Sequence, residues 1–180
     1  MNAHALLPCV LLCSVLCAAP ALARDDLVFI PLRSFEEVPA VSSAARGFFK
    51  ARIRESAGTI EYELSYRGLQ GDIRQSHIHF GQRSVNGGIS VFLCQTATNP
   101  DPTGLAPSCG ASPATVTGTL TAASVIGPTG QGIAATEFAE LVRAIRAGVA
   151  YVNVHSSLFP GGEIRGQARG SGHDHGHDGD

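Results

Sequence analysis

Three histidines, His77, His79 and His155, are the residues of this 180-residue chain best suited to bind a metal ion. Alternate side chains of a β-strand point to the same face, so the His-x-His spacing projects two imidazoles to one side. If the strand that carries His155 lies beside them, three imidazoles can occupy three corners of a tetrahedral or trigonal site. The spacing therefore predicts a copper or zinc site. The fold itself is expected to require no cofactor.

The polar residues around these histidines have two interpretations. In the metal interpretation, Glu163 or Asn153 orients an imidazole ring through a hydrogen bond. In the alternative, the polar groups fix the geometry of Greek-key strands: Asn153 and His155 satisfy backbone groups at the turns, and Glu163 pairs with Arg165 or Arg74. His-x-His by itself has low specificity, so the residues leave both interpretations open.

A second group of histidines lies at the end of the chain, in residues 170–180. This segment has no apolar residue to bury, so its composition predicts a disordered tail. Its histidines, interleaved with aspartate and glycine, are His173, His175 and His177. Imidazole and carboxylate groups bind divalent metals, so the tail is either a weak metal site of low specificity or a solubilising segment.

A hairpin at residues 151–167 is predicted to position His155. Polar and apolar residues alternate over 151–155, which is typical of a half-buried strand. A Pro-Gly-Gly sequence at 160–162 then predicts a turn, because glycine adopts positive φ and proline ends a strand. A second strand returns over 163–167. The polar face of the hairpin consists of Tyr151, Asn153, His155, Glu163, Arg165 and Gln167.

The His-Ile-His-Phe-Gly stretch at 77–81, the Asn-Gly-Gly turn at 86–88 and the hairpin at 151–167 together resemble the CHRD (chordin-type) domain. The resemblance covers most of residues 26–169. In the hairpin it is carried by Tyr151, Asn153, His155, Gly161, Gly162, Glu163, Arg165 and Gly166. It implies an all-β, immunoglobulin-like Greek-key sandwich or barrel in an extracytoplasmic protein. By similarity to the modules of chordin, it also implies interaction with another protein.

The rest of the chain is predicted to be mostly strand. Strands are expected at residues 27–32 (an edge strand), 48–54, 59–66, 73–80, 88–94 and 114–122. In the hairpin of 48–54 with 59–66, opposite charges meet on one face and apolar residues on the other. The predicted cross-strand pairs are Arg52–Glu61, Lys50–Glu63, Ile53–Ile60 and Phe49–Leu64.

One short helix is expected to pack on the sheet. Thr136 is a suitable N-cap, and Gly148 stands where a C′ glycine belongs. Between them the apolar stripe has helical spacing. It consists of Phe138, Leu141, Val142 and Ile145.

The first 23 residues have the pattern of a secretory signal peptide. An apolar run at 5–19, too short to span a membrane, leads into Ala21-Leu22-Ala23, which predicts cleavage after Ala23. The alternative is a lipoprotein signal acylated at Cys13 or Cys17, where leucine precedes each cysteine in place of the expected small residue. The mature protein is predicted to be a single domain at 24–169 followed by the tail. Its predicted location is outside the cell, in the periplasm or at the cell surface.

Only Cys94 and Cys109 remain after the signal is removed. In an oxidising compartment such a pair predicts a disulfide. The alternative, a redox or metal-binding pair, fits neither Cys-x-x-Cys nor a zinc spacing.

Composition and motifs narrow the function further. The net charge of -2 and the lack of basic clusters argue against nucleic acid or anionic lipid as partner. No catalytic motif is present. The 77–81 stretch is similar to the copper-ligand strand of copper/zinc superoxide dismutase, but its glycine spacing is one residue short. No second histidine cluster within the predicted domain at 24–169 could provide that family's bridging and zinc ligands. The protein is expected to be an exported, non-enzymatic binding or structural module with an unidentified protein partner. The alternative is a metal-binding protein. A redox protein similar to superoxide dismutase is a weaker alternative.

Overall fold

The computed structural model describes residues 25–170, so the predicted signal peptide at 1–23 and the tail histidines His173, His175 and His177 lie outside the described residues. The strands are β1 (Asp25–Arg33), β2 (Arg46–Arg54), β3 (Thr59–Arg67), β4 (Ile73–Phe80), β5 (Gly88–Cys94), β6 (Ala114–Leu120), β7 (Ala150–Ser156) and β8 (Ile164–Gln167). Helix α1 (Phe138–Arg146) lies between β6 and β7 in the chain.

The eight strands form one sheet in the order β5-β4-β7-β8-β1-β2-β3-β6, and neighbouring strands are antiparallel. The sheet curls until its edge strands β5 and β6 come close together, which gives a nearly closed barrel. Each strand contributes apolar side chains to the interior, among them Leu32, Phe49, Leu64, Ile78, Val91, Val116, Val152 and Ile164. The all-β prediction with one packed helix is confirmed, while its Greek-key detail stays a prediction.

The hairpin of β2 and β3 has the predicted register. Its observed pairs include Arg52–Glu61, Lys50–Glu63, Ile53–Ile60 and Phe49–Leu64. The apolar members are buried in the core, and the charged members lie on the outer face. Side-chain alternation therefore predicts both the pairing and the face, because a slip by one residue would exchange the two faces.

Strand β1 differs from its prediction as an edge strand, since it lies between β8 and β2 in the strand order. It pairs with β2 along its whole length but with β8 at a single position, Arg33 opposite Arg165. Most of β1 thus has a regular ladder on one side only. This is the setting in which a strand tolerates Pro31, which has no N–H to donate.

Helix α1 begins one residue later than predicted. Glu137 is the N-cap residue, and its carboxylate accepts a hydrogen bond from the Ala134 N–H at 2.6 Å. The predicted cap Thr136 has φ +70° and precedes the helix. Gly148, with φ +72°, follows the last turn as predicted. The helix packs on the core through Leu141, Val142 and Ile145, with Phe138 partly buried against them.

The predicted disulfide between Cys94 and Cys109 is confirmed. It joins the end of β5 to the loop that leads into β6, so it restrains the irregular segment next to the open seam of the barrel. None of the helices in residues 25–170 has the length and apolar character needed to cross a bilayer.

Candidate metal centre

Strands β4 and β7 are neighbours, and their register brings the three predicted metal ligands together. His77 lies opposite Asn153, His79 opposite Tyr151, and His155 opposite Gln75. One ring nitrogen from each histidine can be chosen so that all three atoms lie within 4.8 Å of one another. The rings of His77 and His155 have their centroids 4.8 Å apart, and those of His77 and His79 are 5.3 Å apart.

This histidine cluster (His77, His79 and His155) is enclosed rather than solvated. The three residues are 0%, 7% and 6% exposed, respectively. The prediction of a half-buried strand is therefore wrong, because every residue of β7 is buried. One face of β7 packs on the core, and loops at residues 34–45 and 81–87 lie over the polar face of β7 and β8.

Two backbone carbonyls determine which nitrogen of the His79 ring and of the His155 ring carries the proton. His79 Nδ1 lies 2.9 Å from the carbonyl oxygen of Gly87, and His155 Nδ1 lies 2.9 Å from that of Pro160. A carbonyl oxygen only accepts hydrogen bonds, so each Nδ1 carries the proton and each Nε2 carries a lone pair. Ligating histidines are commonly oriented in this way. The Nε2 atoms of His77 and His79 have no hydrogen-bond partner in the described part of the chain.

Burial keeps the rings of the cluster neutral. It lowers the pKa of His77 to about 2, with a further decrease from the neighbouring imidazoles. It lowers the pKa of His79 to about 4, against an opposing hydrogen bond to Gly87, and it also lowers the pKa of His155. A neutral imidazole is the form that binds a metal ion, so the cluster is in its metal-binding state at neutral pH.

The two residues predicted to orient the rings differ in position. Asn153 lies within the cluster, with its Oδ1 3.0 Å from His155 Nε2. Glu163 instead accepts hydrogen bonds from the Ser43 hydroxyl at 2.7 Å and from the Gln70 N–H at 2.9 Å. Among the described residues, the contacts of Glu163 therefore match neither predicted role, ring orientation or an arginine ion pair. It anchors the loop before β2 and the loop after β3.

The family model of the CHRD domain matches residues 28–168 of the chain. The chain belongs to the CHRD domain family. CHRD domains occur in extracellular or secreted proteins, and membership indicates a module of unspecified function. No curated protein and no solved structure matches the chain.

Tyr151 of the CHRD signature holds the His79 ring in place. The two rings are stacked with an interplanar angle of 2° and centroids 4.6 Å apart. The guanidinium carbon of Arg165 lies 3.4 Å from the Tyr151 ring centroid. Arg165 also donates hydrogen bonds to the carbonyl oxygens of Gln82 and Val85, which fastens the 81–87 loop over the cluster. The conformation that brings Gly87 to His79 is thus supported by two signature residues.

The glycines of the CHRD signature provide room for close contacts. Gly162 has φ +132°, and a Cβ there would lie 2.3 Å from a carboxylate oxygen of Glu37. A Cβ on Gly166 would lie 2.2 Å from the carbonyl oxygen of Pro31. A Cβ on Gly161 would meet no atom within 4 Å, so close packing does not explain that glycine.

Glu37 and Phe92 are members of the site that sequence reasoning missed. Glu37 is 5% exposed, and burial raises its pKa to about 7 against the opposing charge of Arg165. Phe92 packs edge-on against His77, with ring centroids 4.3 Å apart. Glu37 stands in a loop next to another glutamate, and Phe92 is an ordinary apolar strand residue. Neither carries a local signal, because both reach the cluster only when distant segments pack together.

Proposed function

We propose that this CHRD domain binds a divalent transition metal ion, copper or zinc, through His77, His79 and His155. The observation that carries the proposal is the convergence of three buried, neutral imidazoles with ring nitrogens within 4.8 Å of one another. Zn–N bonds of about 2.0–2.1 Å place tetrahedral ligand atoms roughly 3.3 Å apart. The most distant pair of ring nitrogens therefore needs to approach by at most about 1.5 Å for the three to coordinate one ion.

The surroundings support metal binding more than a purely structural hydrogen-bond network. A structural network would leave buried nitrogens paired, because an unpaired buried polar atom costs about 1–3 kcal/mol. Here Nε2 of His77 and of His79 lack a partner among residues 25–170. A metal ion would satisfy the lone pair of His79 Nε2, and Nδ1 of His77 already lies 3.1 Å from Nε2 of His155, close to the separation of two ligand atoms on zinc. Imidazole nitrogen suits zinc and copper.

The test is metal content and affinity of the full chain in a background where His173, His175 and His177 are alanine, so that the tail does not contribute. We expect one zinc or copper ion per chain in this background. Metal should be lost in His79→Ala and kept in Phe92→Leu, since Phe92 contacts His77 but offers no ligand atom. A background protein that binds neither ion, or a His79→Ala variant that binds as tightly as its parent, would refute the proposal.

We propose that the domain acts after export, as a binding module rather than an enzyme. The disulfide between Cys94 and Cys109 supports an oxidising compartment. N-terminal sequencing of the exported protein tests cleavage after Ala23, with Arg24 as the expected first residue. Interaction with another protein, the role implied by similarity to chordin modules, stays a prediction.

A further inference from the structure

We infer that the side-chain oxygen of Asn153 is the fourth ligand of the metal, which makes the centre a closed site of three imidazole nitrogens and one amide oxygen. The inference rests on the metal binding proposed above. It assigns the ion a structural role, holding β4 against β7, because a closed centre has no coordination position left for a substrate.

The position of Asn153 supports this assignment. It lies on β7 two residues from His155, on the same face, and it is the cross-strand partner of His77. Asn153 is 2% exposed, and its amide is close enough to His79 to affect the pKa of that ring. Asn153 is thus beside all three members of the histidine cluster, with its oxygen 3.0 Å from His155 Nε2.

The hydrogen-bond pattern of His155 points to a cation between these atoms. Its Nδ1 faces the Pro160 carbonyl oxygen at 2.9 Å, and its Nε2 faces the Asn153 oxygen at 3.0 Å. A neutral imidazole carries one N–H, so it can donate to only one of these two oxygens. Because the proton is on Nδ1, Nε2 directs its lone pair at a lone pair of the Asn153 oxygen. The same Nε2 lies 3.1 Å from His77 Nδ1, which can donate a hydrogen bond to it in the metal-free protein. A metal ion that accepts both Nε2 and the amide oxygen removes this repulsion.

The alternative is that the amide of Asn153 is rotated by half a turn, so that its NH₂ group donates to His155 Nε2. Asn153 would then position the ring without touching the ion, and a fourth position would remain open to water. The two arrangements predict different coordination numbers. A closed site with an oxygen ligand and no sulfur also favours Zn²⁺ or Cu²⁺ over Cu⁺, which prefers soft ligands.

Cobalt(II) is a suitable probe, because its visible spectrum distinguishes four-coordinate from five- or six-coordinate sites. The protein is the full chain with alanine at the three tail histidines, and the variants in this background are Asn153→Ala and Asn153→Asp. We expect an intense four-coordinate spectrum in the parent that added azide does not change. Asn153→Ala should give a weaker, azide-sensitive spectrum and an affinity for Zn²⁺ lower by about tenfold or more. Asn153→Asp should restore the closed spectrum, because it returns an oxygen ligand.

An azide-sensitive parent spectrum would overturn the inference, as would an Asn153→Ala variant with the spectrum and affinity of the parent. If Asn153→Ala fails to fold, as judged by thermal unfolding, the aspartate variant decides the question: a closed spectrum supports ligation by the oxygen, and an open one contradicts it. A parent that binds neither Co²⁺ nor Zn²⁺ would refute metal binding itself. If the parent binds metal and Asn153→Ala binds it equally well, only the assignment of Asn153 as the fourth ligand is refuted.

Discussion

Acidification is predicted to destabilise the metal-free domain through its buried histidines. In the unfolded chain His77 and His79 take up protons near the ordinary pKa of 6.5, whereas in the folded domain they remain neutral down to about pH 2 and pH 4. The free energy of unfolding rises with pH wherever the unfolded state binds more protons. The stability that these histidines contribute is therefore present above pH 6.5 and is lost as the pH falls towards the folded-state pKa values.

The size of the effect follows from the two pKa shifts. Between pH 7 and pH 5 each of these two histidines lowers the free energy of unfolding by about 2 kcal/mol, or about 4 kcal/mol together. His155 acts in the same direction, since burial also lowers its pKa. A loss of this size is a large fraction of the about 5–15 kcal/mol that stabilises a typical domain.

Glu37 opposes this loss. Its pKa is raised from 4.5 to about 7 on folding, so the folded state binds more protons than the unfolded state in this interval. Between pH 7 and pH 5 its protonation restores about 2 kcal/mol. Glu37→Gln removes that contribution, so the variant should lose about 2 kcal/mol more than the parent over the same interval.

Urea denaturation of the disulfide-intact, metal-free protein at several pH values measures these differences. His77→Gln provides the matched control, since it should reduce the loss of stability between pH 7 and pH 5 by about 2 kcal/mol. A Glu37→Gln variant whose stability is the same at pH 7 and pH 5 would refute the reasoning. So would a His77→Gln variant with the pH dependence of its parent.

Three further predictions concern stability at neutral pH. Gly162→Ala should lower the free energy of unfolding by about 3 kcal/mol or more, because of the positive φ at this position and the collision of the new Cβ with Glu37. Adding Glu37→Ala should restore part of this loss in a double-mutant cycle. Strictly additive effects of the two substitutions would contradict the contact. Replacing Cys94 and Cys109 by serine should lower the free energy of unfolding, measured by urea denaturation, by about 3 kcal/mol. An unchanged midpoint of the urea transition would contradict this prediction. Glu63→Ala should cost less than about 1 kcal/mol, because its 3.8 Å pair with Lys50 is exposed, and a larger loss would indicate a further role for that carboxylate.

Local pattern was enough to predict several elements. The alternation of charge and apolar character predicts the register of β2 with β3, because side chains of period two admit only one pairing that buries one face. The pair Cys94 and Cys109 was predicted from the count of cysteines that remain after the signal is removed. The residues of the hairpin signature likewise indicated the family, which the match over residues 28–168 confirms.

Local pattern was misleading where burial comes from distant segments. Alternation in β7 predicted one solvated face, but loops from elsewhere in the chain cover that face and bury Asn153 and His155. The proline in β1 suggested an edge strand, whereas the strand order places β1 beside β8. In both cases the error concerns what packs on a strand, which the residues of the strand itself do not specify.

By itself, the sequence determined which groups are available for chemistry: the spacing of His77 and His79, and the strand that carries His155. Only the tertiary structure decided that these groups meet, because β4 and β7 lie far apart in the chain and pair through the packing of the whole barrel. It also decided which ring nitrogen of His79 and of His155 carries the proton, since the carbonyls of Gly87 and Pro160 belong to loops whose conformation depends on contacts such as those of Arg165. Residue type sets the possible ligands, and long-range packing sets their geometry.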